Sequence, residues 1–302
     1  MDLKESVRNQ TDVGLRMTRH LFLAEAMGQN MVCSPLSIHV VLSMIAASTK
    51  GPTQDELLSA LKSTSTGELN SLASNLLPLV FADGSPSGGP CLSFVNGVWV
   101  DRSLPLKPSF KEVVDTFYKA AQKHVDFQNK AEEARAEVNS WAEKETKGVI
   151  REVLPPLAVN SSTRVIFANA LYFKGTWDDD PFLDEVGIVK IPKFKITSWF
   201  EVWGILKQLG LKLPFNMTEM VEAPPGQDLS VSKMLQKAVI EVNEEGTEAA
   251  AVTVTSASFS LAAWEPRKKI DFVADHPFLF LIREEMTGAV LFIGQLLNPL
   301  QG

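Results

Sequence analysis

The amino-acid sequence predicts an α+β fold, in which helices occupy most of the first half of the chain and strands most of the second. Apolar residues at helical spacing begin with Val13, Met17 and Leu21, and amphipathic segments continue to about residue 146. The run Thr163–Phe173 is almost continuously apolar and has strand length, which is typical of a strand buried on both faces. The sequence therefore predicts helices packed on a sheet with a buried centre.

The helices are predicted from start and stop signals. Ser34 and Pro35 supply a capping residue and a proline at the first helical position before residues 38–47. Gly51 ends this helix, and Thr53–Glu56 has the pattern of a capping box that opens the next one. Further helices are predicted over 1–27, 66–81, 109–121 and 130–146, the last of them closed by Gly148.

The strands are predicted from shorter apolar runs between turn residues. The first covers Leu92–Val100, after a Gly/Ser/Pro loop at 83–90, and Gly97 is expected to break it. Others are predicted over 163–173, 186–196 and 229–242, with a short helix at 201–209, and Ile270–Ile282 and Gly288–Leu297 form a predicted hairpin. Because no repeat or linker interrupts this order, we predict a single domain over residues 1–302.

The overall charge argues against two classes of partner. The chain has 302 residues, 45% of them hydrophobic, and a formal net charge of −7. We therefore expect no binding to nucleic acid or to an anionic membrane, and no apolar run approaches the length of a membrane span. The N-terminus lacks the pattern of a secretory signal. Cys33 and Cys91 are expected to be buried free thiols, so we expect a cytoplasmic protein, with an extracellular location as the alternative.

No pattern of catalytic residues is present in the sequence. The stretch Gly84–Gly88 has Pro86 where the nucleophile elbow of a hydrolase needs serine. The four histidines lack metal-ligand spacing, and no glycine-rich loop ends in Gly-Lys-Ser or Gly-Lys-Thr. We therefore expect that the protein is not an enzyme and takes no cofactor or metal.

One stretch near the carboxyl end suits neither a core helix nor a core strand. A strand-like run up to Val242 leads through an acidic turn at Gly246 into Thr247–Ala263, which carries one charge and neither proline nor glycine. If this stretch were a strand, one of its faces would hold nothing larger than threonine over residues 247–257. Such a strand could enter between two existing strands without overpacking them. A solvated linker, or a frayed helix over 244–251, fits the composition equally well.

Several motifs follow one another along the chain. They are Ser34–Ser37, Asn139–Trp141 with Lys147 and Gly148, Phe167–Trp177, Asn243–Ala251, Asp275–Phe280, and Leu291–Gln295 with Asn298 and Pro299. Together they cover nearly the whole chain and resemble the serpin family, particularly its plant members. The resemblance implies the serpin fold, in which helices pack on a large central β-sheet and a reactive-centre loop is exposed.

The resemblance also implies a mechanism and a set of functional residues. A serpin offers its loop to a serine protease, which forms an acyl-enzyme and is carried along when the loop inserts into the central sheet. Counting from Gly246 as the family does places the reactive bond between Ser260 and Leu261. The hinge is then Glu245, Gly246, Thr247, Glu248, Ala249, Ala250, Ala251 and Val252, and the rest of the loop is Thr253, Val254, Thr255, Ser256, Ala257, Ser258 and Phe259.

The residues at the reactive bond indicate the class of target. Ser260 suits elastase-like or subtilisin-like pockets, and Phe259 or Leu261 would suit a chymotrypsin-like protease if the register shifts by one residue. No Lys or Arg lies between Gly246 and Pro266, so a trypsin-like target is not expected. The implied partner is a serine endopeptidase, with a papain-like cysteine protease as an alternative.

The chain departs from the family pattern after Trp177. Serpins carry a large block before the segment that corresponds to Ile191, with several strands of the second and third sheets (sheets B and C), whereas only residues 178–190 bridge it here. We therefore predict truncated sheets B and C, exposed sheet edges, a missing hydrophobic layer behind the central strands and lower stability. The alternative to an inhibitor is a non-inhibitory or inactive truncated serpin that acts as a protease substrate or a binding scaffold.

Overall fold

The computed structural model describes residues 3–175, 186–208, 210–212, 215–222, 229–243 and 270–301. The helices in these ranges are α1 (Leu3–Glu25), α2 (Pro35–Ala47), α3 (Gly51–Ala60), α4 (Thr66–Val80), α5 (Pro108–Thr116), α6 (Phe127–Glu145) and α7 (Trp203–Gln208). The strands are β1 (Met31–Cys33), β2 (Cys91–Asp101), β3 (Ala121–Val125), β4 (Val165–Gly175), β5 (Val186–Lys190), β6 (Phe194–Glu201), β7 (Lys233–Val242), β8 (Ile270–Val273), β9 (Phe278–Arg283) and β10 (Val290–Leu296).

The largest sheet, called the central sheet from here on, has the strand order β3-β2-β4-β7-β6. Its strand β4 is buried over residues 165–172, as the apolar run predicts. The second sheet has the order β1-β10-β9, and the third pairs β5 with β8 in parallel. The predicted α+β class is confirmed, and sheets B and C are reduced in the described residues to these three-stranded and two-stranded sheets.

Two hydrophobic layers cover the two faces of the central sheet. Phe167, Leu171 and Met234 belong to the larger layer, which also contains buried residues of α1, α2 and α4 and of the second sheet. Ile166 and Leu235 face the opposite way and belong to a smaller layer with buried residues of α6. Because alternate residues of a strand point to opposite faces, this double cover accounts for the unbroken apolar character of β4.

Two helix boundaries differ from the predicted ones, one because of a proline and the other because of strand pairing. The capping box predicted at Thr53 is wrong, because α3 already begins at Gly51 with Pro52 in its first turn and Lys50 as its N-cap residue. The helix predicted over 109–121 is too long, because α5 ends at Thr116 and the chain then pairs with β2 as the parallel edge strand β3. Local propensity gives way there to hydrogen bonding with the sheet.

Two predicted strands are each divided in the structure. The run over 186–196 forms β5 and β6, and Pro192, which has no N–H to donate, lies between them. The run over 270–282 forms β8 and β9, which belong to different sheets, so only β9 forms the predicted hairpin with β10.

Cys33 is a buried free thiol as predicted, whereas Cys91 is only half-buried. Within the described ranges no helix could span a membrane.

Gly97 does not interrupt β2, so the predicted break is wrong. A Cβ atom at residue 97 would lie 2.2 Å from Cη2 and 2.4 Å from Cζ3 of Trp99. Trp99 is fully buried and packs edge-to-face on Trp141 of α6, with ring centroids 4.7 Å apart. The glycine therefore provides the space for the tryptophan pair that holds α6 on the sheet.

Replacing Gly97 by alanine is expected to lower the free energy of unfolding by about 1–3 kcal/mol or more, because the Trp99 ring cannot shift without displacing Trp141. Gly67→Ala is the matched control, since its nearest atom, Ser65 Oγ, is 3.8 Å away. Alanine in that exposed helical position should be stabilising by up to about 1 kcal/mol. Urea denaturation of both variants measures the difference, and equal effects would contradict this account of Gly97.

His39 of α2 is enclosed by the apolar core, where its side chain is 3% exposed. Burial lowers its pKa from 6.5 to about 4, and this effect outweighs a backbone hydrogen bond at Leu61 that acts in the opposite direction. The ring is therefore uncharged in the folded protein at neutral pH.

Stability is expected to fall as the pH decreases from 6.5 toward 4. In this window the unfolded chain binds a proton at residue 39 that the folded protein does not bind, so about 3 kcal/mol present above pH 6.5 is lost as the pH falls. Urea denaturation at several pH values should show a weaker pH dependence in His39→Gln, and His20→Gln on α1 is the control. An unchanged slope in the His39 variant would assign the effect to other groups.

Candidate functional site

The candidate site is the seam between β4 and β7 at the middle of the central sheet. These strands run parallel, in register from Ile166 opposite Lys233 to Gly175 opposite Val242. The flanking strands β2 and β6 are antiparallel to β4 and β7 respectively. At the end of β7 the chain continues through Asn243 into residues 244–269, and it returns as β8. The predicted loop therefore begins where the seam ends.

The predicted site residues themselves lie outside the described residues. They are the hinge Glu245–Val252, the loop Thr253–Phe259 and the reactive bond Ser260–Leu261. Their roles rest on the family resemblance and stay predictions. What the structure describes is the sheet to which the loop is attached.

Polar side chains hold the middle of the seam on the α2 side. Gln236 of β7 is almost fully buried; its Oε1 accepts from Ser34 N at 3.1 Å, and its Nε2 donates to Ser34 O at 3.0 Å. Asn169 of β4, directly opposite Gln236, donates from Nδ2 to Val95 O at 3.2 Å and to Asn96 Oδ1 at 2.9 Å on β2. These side chains thus tie β7 to the start of α2 and β4 to β2.

These hydrogen bonds do not join β4 to β7, so they do not oppose a separation of the two strands. The Gln236 bonds reach α2 and the Asn169 bonds reach β2, so these four bonds would be kept if β4 and β7 moved apart. From the sequence, Ser34 was predicted as a helix cap and as part of the Ser34–Ser37 motif, and Gln236 was not singled out. The signal for Gln236 was a lone amide within an otherwise largely apolar strand.

A charged cluster lies near the end of the seam. Glu241 of β7 pairs with Lys195 of β6 at 3.2 Å and approaches Lys174 of β4 at 3.8 Å. Asn243 Nδ2 also donates to Glu241 Oε1 at 3.1 Å. The Glu241–Lys174 contact crosses the seam, but partly exposed ion pairs contribute only about 0–1 kcal/mol, so it is a weak restraint.

The face of the seam opposite α2 is covered by α6 and the segment that follows it. Asn139 Oδ1 accepts from Val153 N at 2.9 Å and from Leu154 N at 2.8 Å. Trp199 of β6 donates from Nε1 to Val153 O at 2.6 Å. This layer therefore bridges the seam, from the Trp99–Trp141 contact on β2 to Trp199 on β6.

A cavity borders the larger layer behind the carboxyl ends of β4 and β7. A cavity of about 790 Å³ is lined there by Phe173 and Gly175 of β4, by Ile240 and Val242 of β7, and by residues of β8 and β9. Farther down β4, Phe167 is fully buried. The predicted loss of the hydrophobic layer is thus wrong along most of β4, and at the carboxyl end of the seam it stays a prediction.

Comparison with known proteins identifies the family. The model of the family "Serpin (serine protease inhibitor)" matches residues 8–185 and 183–299. The chain belongs to the serpin family. Serpin-ZX of Arabidopsis thaliana is 40% identical over 391 residues, which cover 99% of this serpin and 100% of the relative. Serpin-ZXA of Oryza sativa subsp. japonica is 38% identical over 397 residues, covering 99% and 98%.

Solved structures agree with this assignment. One described as "Structure of Arabidopsis AtSerpin1. Native Stressed Conformation" matches this serpin with a TM-score of 0.86 and 40% identity, covering 99% of each chain. A structure of protease nexin-1 with heparin matches with a TM-score of 0.82 at 20% identity and shares the fold. The alignment to Serpin-ZX extends over 391 positions, whereas this serpin has 302 residues, so the relative has internal residues without a counterpart here. Family membership makes a protease the expected partner.

Proposed function

We propose that this serpin inhibits a serine endopeptidase as a suicide substrate, by cleavage of its loop and insertion of the loop into the seam. The observation that carries this proposal is the parallel β4–β7 pair at the middle of the central sheet. A chain that turns back after β7 runs antiparallel to β7, and because β4 is parallel to β7 it also runs antiparallel to β4. Insertion would replace one parallel pair by two antiparallel pairs, which are slightly more stable per residue.

The energetic gain is large relative to the stability of a domain. Opening the seam breaks one set of ladder hydrogen bonds, and an inserted strand forms two sets. The net gain of one set, for a strand as long as the 10 residues of β7, amounts to about 10 kcal/mol at about 1 kcal/mol each. A whole domain is stable by only about 5–15 kcal/mol. The small side chains over residues 247–257 suit entry between packed strands.

The chemical step uses the protease's own machinery. The protease serine attacks the carbonyl carbon of Ser260, the amine of Leu261 leaves with the proton passed on by the protease's general acid, and Ser260 stays bound as an ester. If the hinge inserts into the seam before water attacks this ester, the protease stays attached and is carried away from the loop's original position. The small uncharged Ser260 favours elastase-like or subtilisin-like proteases, and Phe259 or Leu261 favours chymotrypsin-like ones in a shifted register.

A non-inhibitory serpin is the second candidate, and the cavity behind the seam favours it. The cavity lies beside Phe173, Gly175, Ile240 and Val242, where a strand following β7 would enter first. A poorly supported sheet at this point gains less from insertion, so the ester would be hydrolysed first. The protein would then be a protease substrate or a binding scaffold.

Incubation with elastase, chymotrypsin and subtilisin separates the two candidates. An inhibitor gives a complex that survives SDS, with cleavage after Ser260 shown by mass spectrometry and a marked rise in the melting temperature of the cleaved protein. A protease whose catalytic serine is replaced by alanine is the control and should give no covalent complex. Cleavage without a complex and without a rise in melting temperature would establish the non-inhibitory function instead.

A further inference from the structure

Another cavity lies between the first helix and the turn that joins β9 to β10. Its volume is about 480 Å³, which is within the usual range of small-molecule sites. Helix α1 lines it with one face, from Lys4 to Leu15, because residues three and four positions apart lie on the same side of a helix. The turn lines it with Arg283 and with residues 285–288. The cavity therefore joins two elements that are far apart in the chain.

Three positively charged side chains line this cavity. Lys4 and Arg8 come from consecutive turns of α1, and Arg283 comes from the end of β9. All three residues are exposed, and within the described part of the chain none of them forms an ion pair. Cations that share a cleft without a partner raise the local positive potential and attract anions.

The acidic side chains beside the cavity compensate little of this charge. Asp12 belongs to the lining, but it pairs with Lys62. Glu284 accepts from two backbone N–H groups of its own turn, at 2.8 Å and 2.7 Å. Among the described residues that line the cavity, Glu285 is the one carboxylate without a partner. The lining is therefore positive overall, although the whole chain has a formal net charge of −7.

The turn fixes the position of the Arg283 guanidinium. Gly288 has a positive φ of 76°, and a Cβ atom there would lie 3.1 Å from Nη2 and 3.4 Å from Nε of Arg283. The guanidinium therefore lies across the turn, in the space that the glycine leaves free. A side chain held in this way loses less conformational freedom on binding a ligand than one that moves freely in solvent.

We propose that this cavity binds a small molecule that carries a polyphosphate group, with the phosphates on Lys4, Arg8 and Arg283. Guanidinium groups match phosphate oxygens in a bidentate geometry, and a polyphosphate supplies the several negative charges that three cations need, whereas a single carboxylate supplies one. Leu15 and Met286 are 47% and 91% exposed and also line the cavity, so an organic part such as that of a nucleotide would pack on them. No residue of β4 or β7 lines the cavity, so the inference holds whether or not the protein inhibits a protease.

Isothermal titration calorimetry with inorganic tripolyphosphate and with ATP, both without Mg²⁺, tests this inference. Both probes are expected to bind saturably, with one site per chain, and adenosine should not bind because it lacks the phosphates. Tighter binding of ATP than of tripolyphosphate would identify a nucleotide-like ligand. Equal affinities would identify inorganic polyphosphate, since the two probes share the phosphates and differ in the organic part.

Variants of exposed residues locate the site. Arg8→Gln should weaken the binding of tripolyphosphate about tenfold, because it removes a charged hydrogen-bond donor. Arg19→Gln is the matched control, since Arg19 is exposed on the same helix but lies outside the lining, and it should bind like wild type. Glu285→Gln should strengthen binding, because it removes a carboxylate that repels the phosphates.

Thermal unfolding gives a second readout. Tripolyphosphate should raise the melting temperature of the wild-type protein, because only the folded chain brings α1 and the turn together, and it should raise that of Arg8→Gln less. The absence of saturable binding of either probe up to about 1 mM, or equal losses of affinity in Arg8→Gln and Arg19→Gln, would overturn the inference.

Discussion

An Ala251→Pro variant is expected to be cleaved by the target protease without trapping it. Residue 251 lies in the stretch that we propose enters the seam, where it needs its backbone N–H for one of the two new ladders. Proline has no N–H and is confined to sheet edges and bulges, so the inserting strand should stop there. The reactive bond after Ser260 is unchanged and should still be cut.

The readout is a denaturing gel together with the residual protease activity. Wild type should give the covalent complex and loss of activity, and Ala251→Pro should give cleaved protein and full activity. Ala251→Ser is the matched control, since serine is small and keeps the N–H, and it should inhibit like wild type. An undiminished complex with the proline variant would show that residue 251 does not enter the sheet.

The second large effect is expected at the buried amide of the seam. Gln236→Ala removes both hydrogen bonds to the backbone of Ser34, at 3.1 Å and 3.0 Å. Ser34 O keeps the hydrogen bond from Ile38 N at 3.2 Å, but Ser34 N is left without its partner. A buried backbone group in that state costs about 1–3 kcal/mol, so we expect the free energy of unfolding to fall by about that amount. The loss would free β7 from the start of α2.

Urea denaturation measures this effect, and Gln29→Ala is its control. Gln29 also donates from Nε2 to a backbone carbonyl, that of Glu25, but it is exposed, so its loss should change stability by less than about 0.5 kcal/mol. A similar small loss in both variants would show that Gln236 does not hold the seam. The two variants thus compare the contribution to stability of two buried amide hydrogen bonds with that of one exposed amide hydrogen bond.

Much of the frame of the site could be predicted from sequence. The cap at Ser34 and the buried strand β4 follow from patterns within a few residues, and the structure confirms them. The hinge and the reactive bond were placed by resemblance and by counting from Gly246, and they stay predictions. The amide Gln236 was missed as part of the site because its role depends on Ser34, which is 202 positions away in the chain.

The sequence by itself therefore determined the α+β class, the two strands of the seam and the membership of the serpin family, since each depends on local patterns or on motifs in order. Only the tertiary structure decided that β4 and β7 are parallel neighbours, that 270–282 divides between two sheets, and that a cavity lies behind the carboxyl end of the seam. The physical reason is that strand pairing and core filling depend on contacts between residues far apart in the chain. A local pattern of apolar residues predicts that a strand is buried, but it does not specify which strand lies beside it.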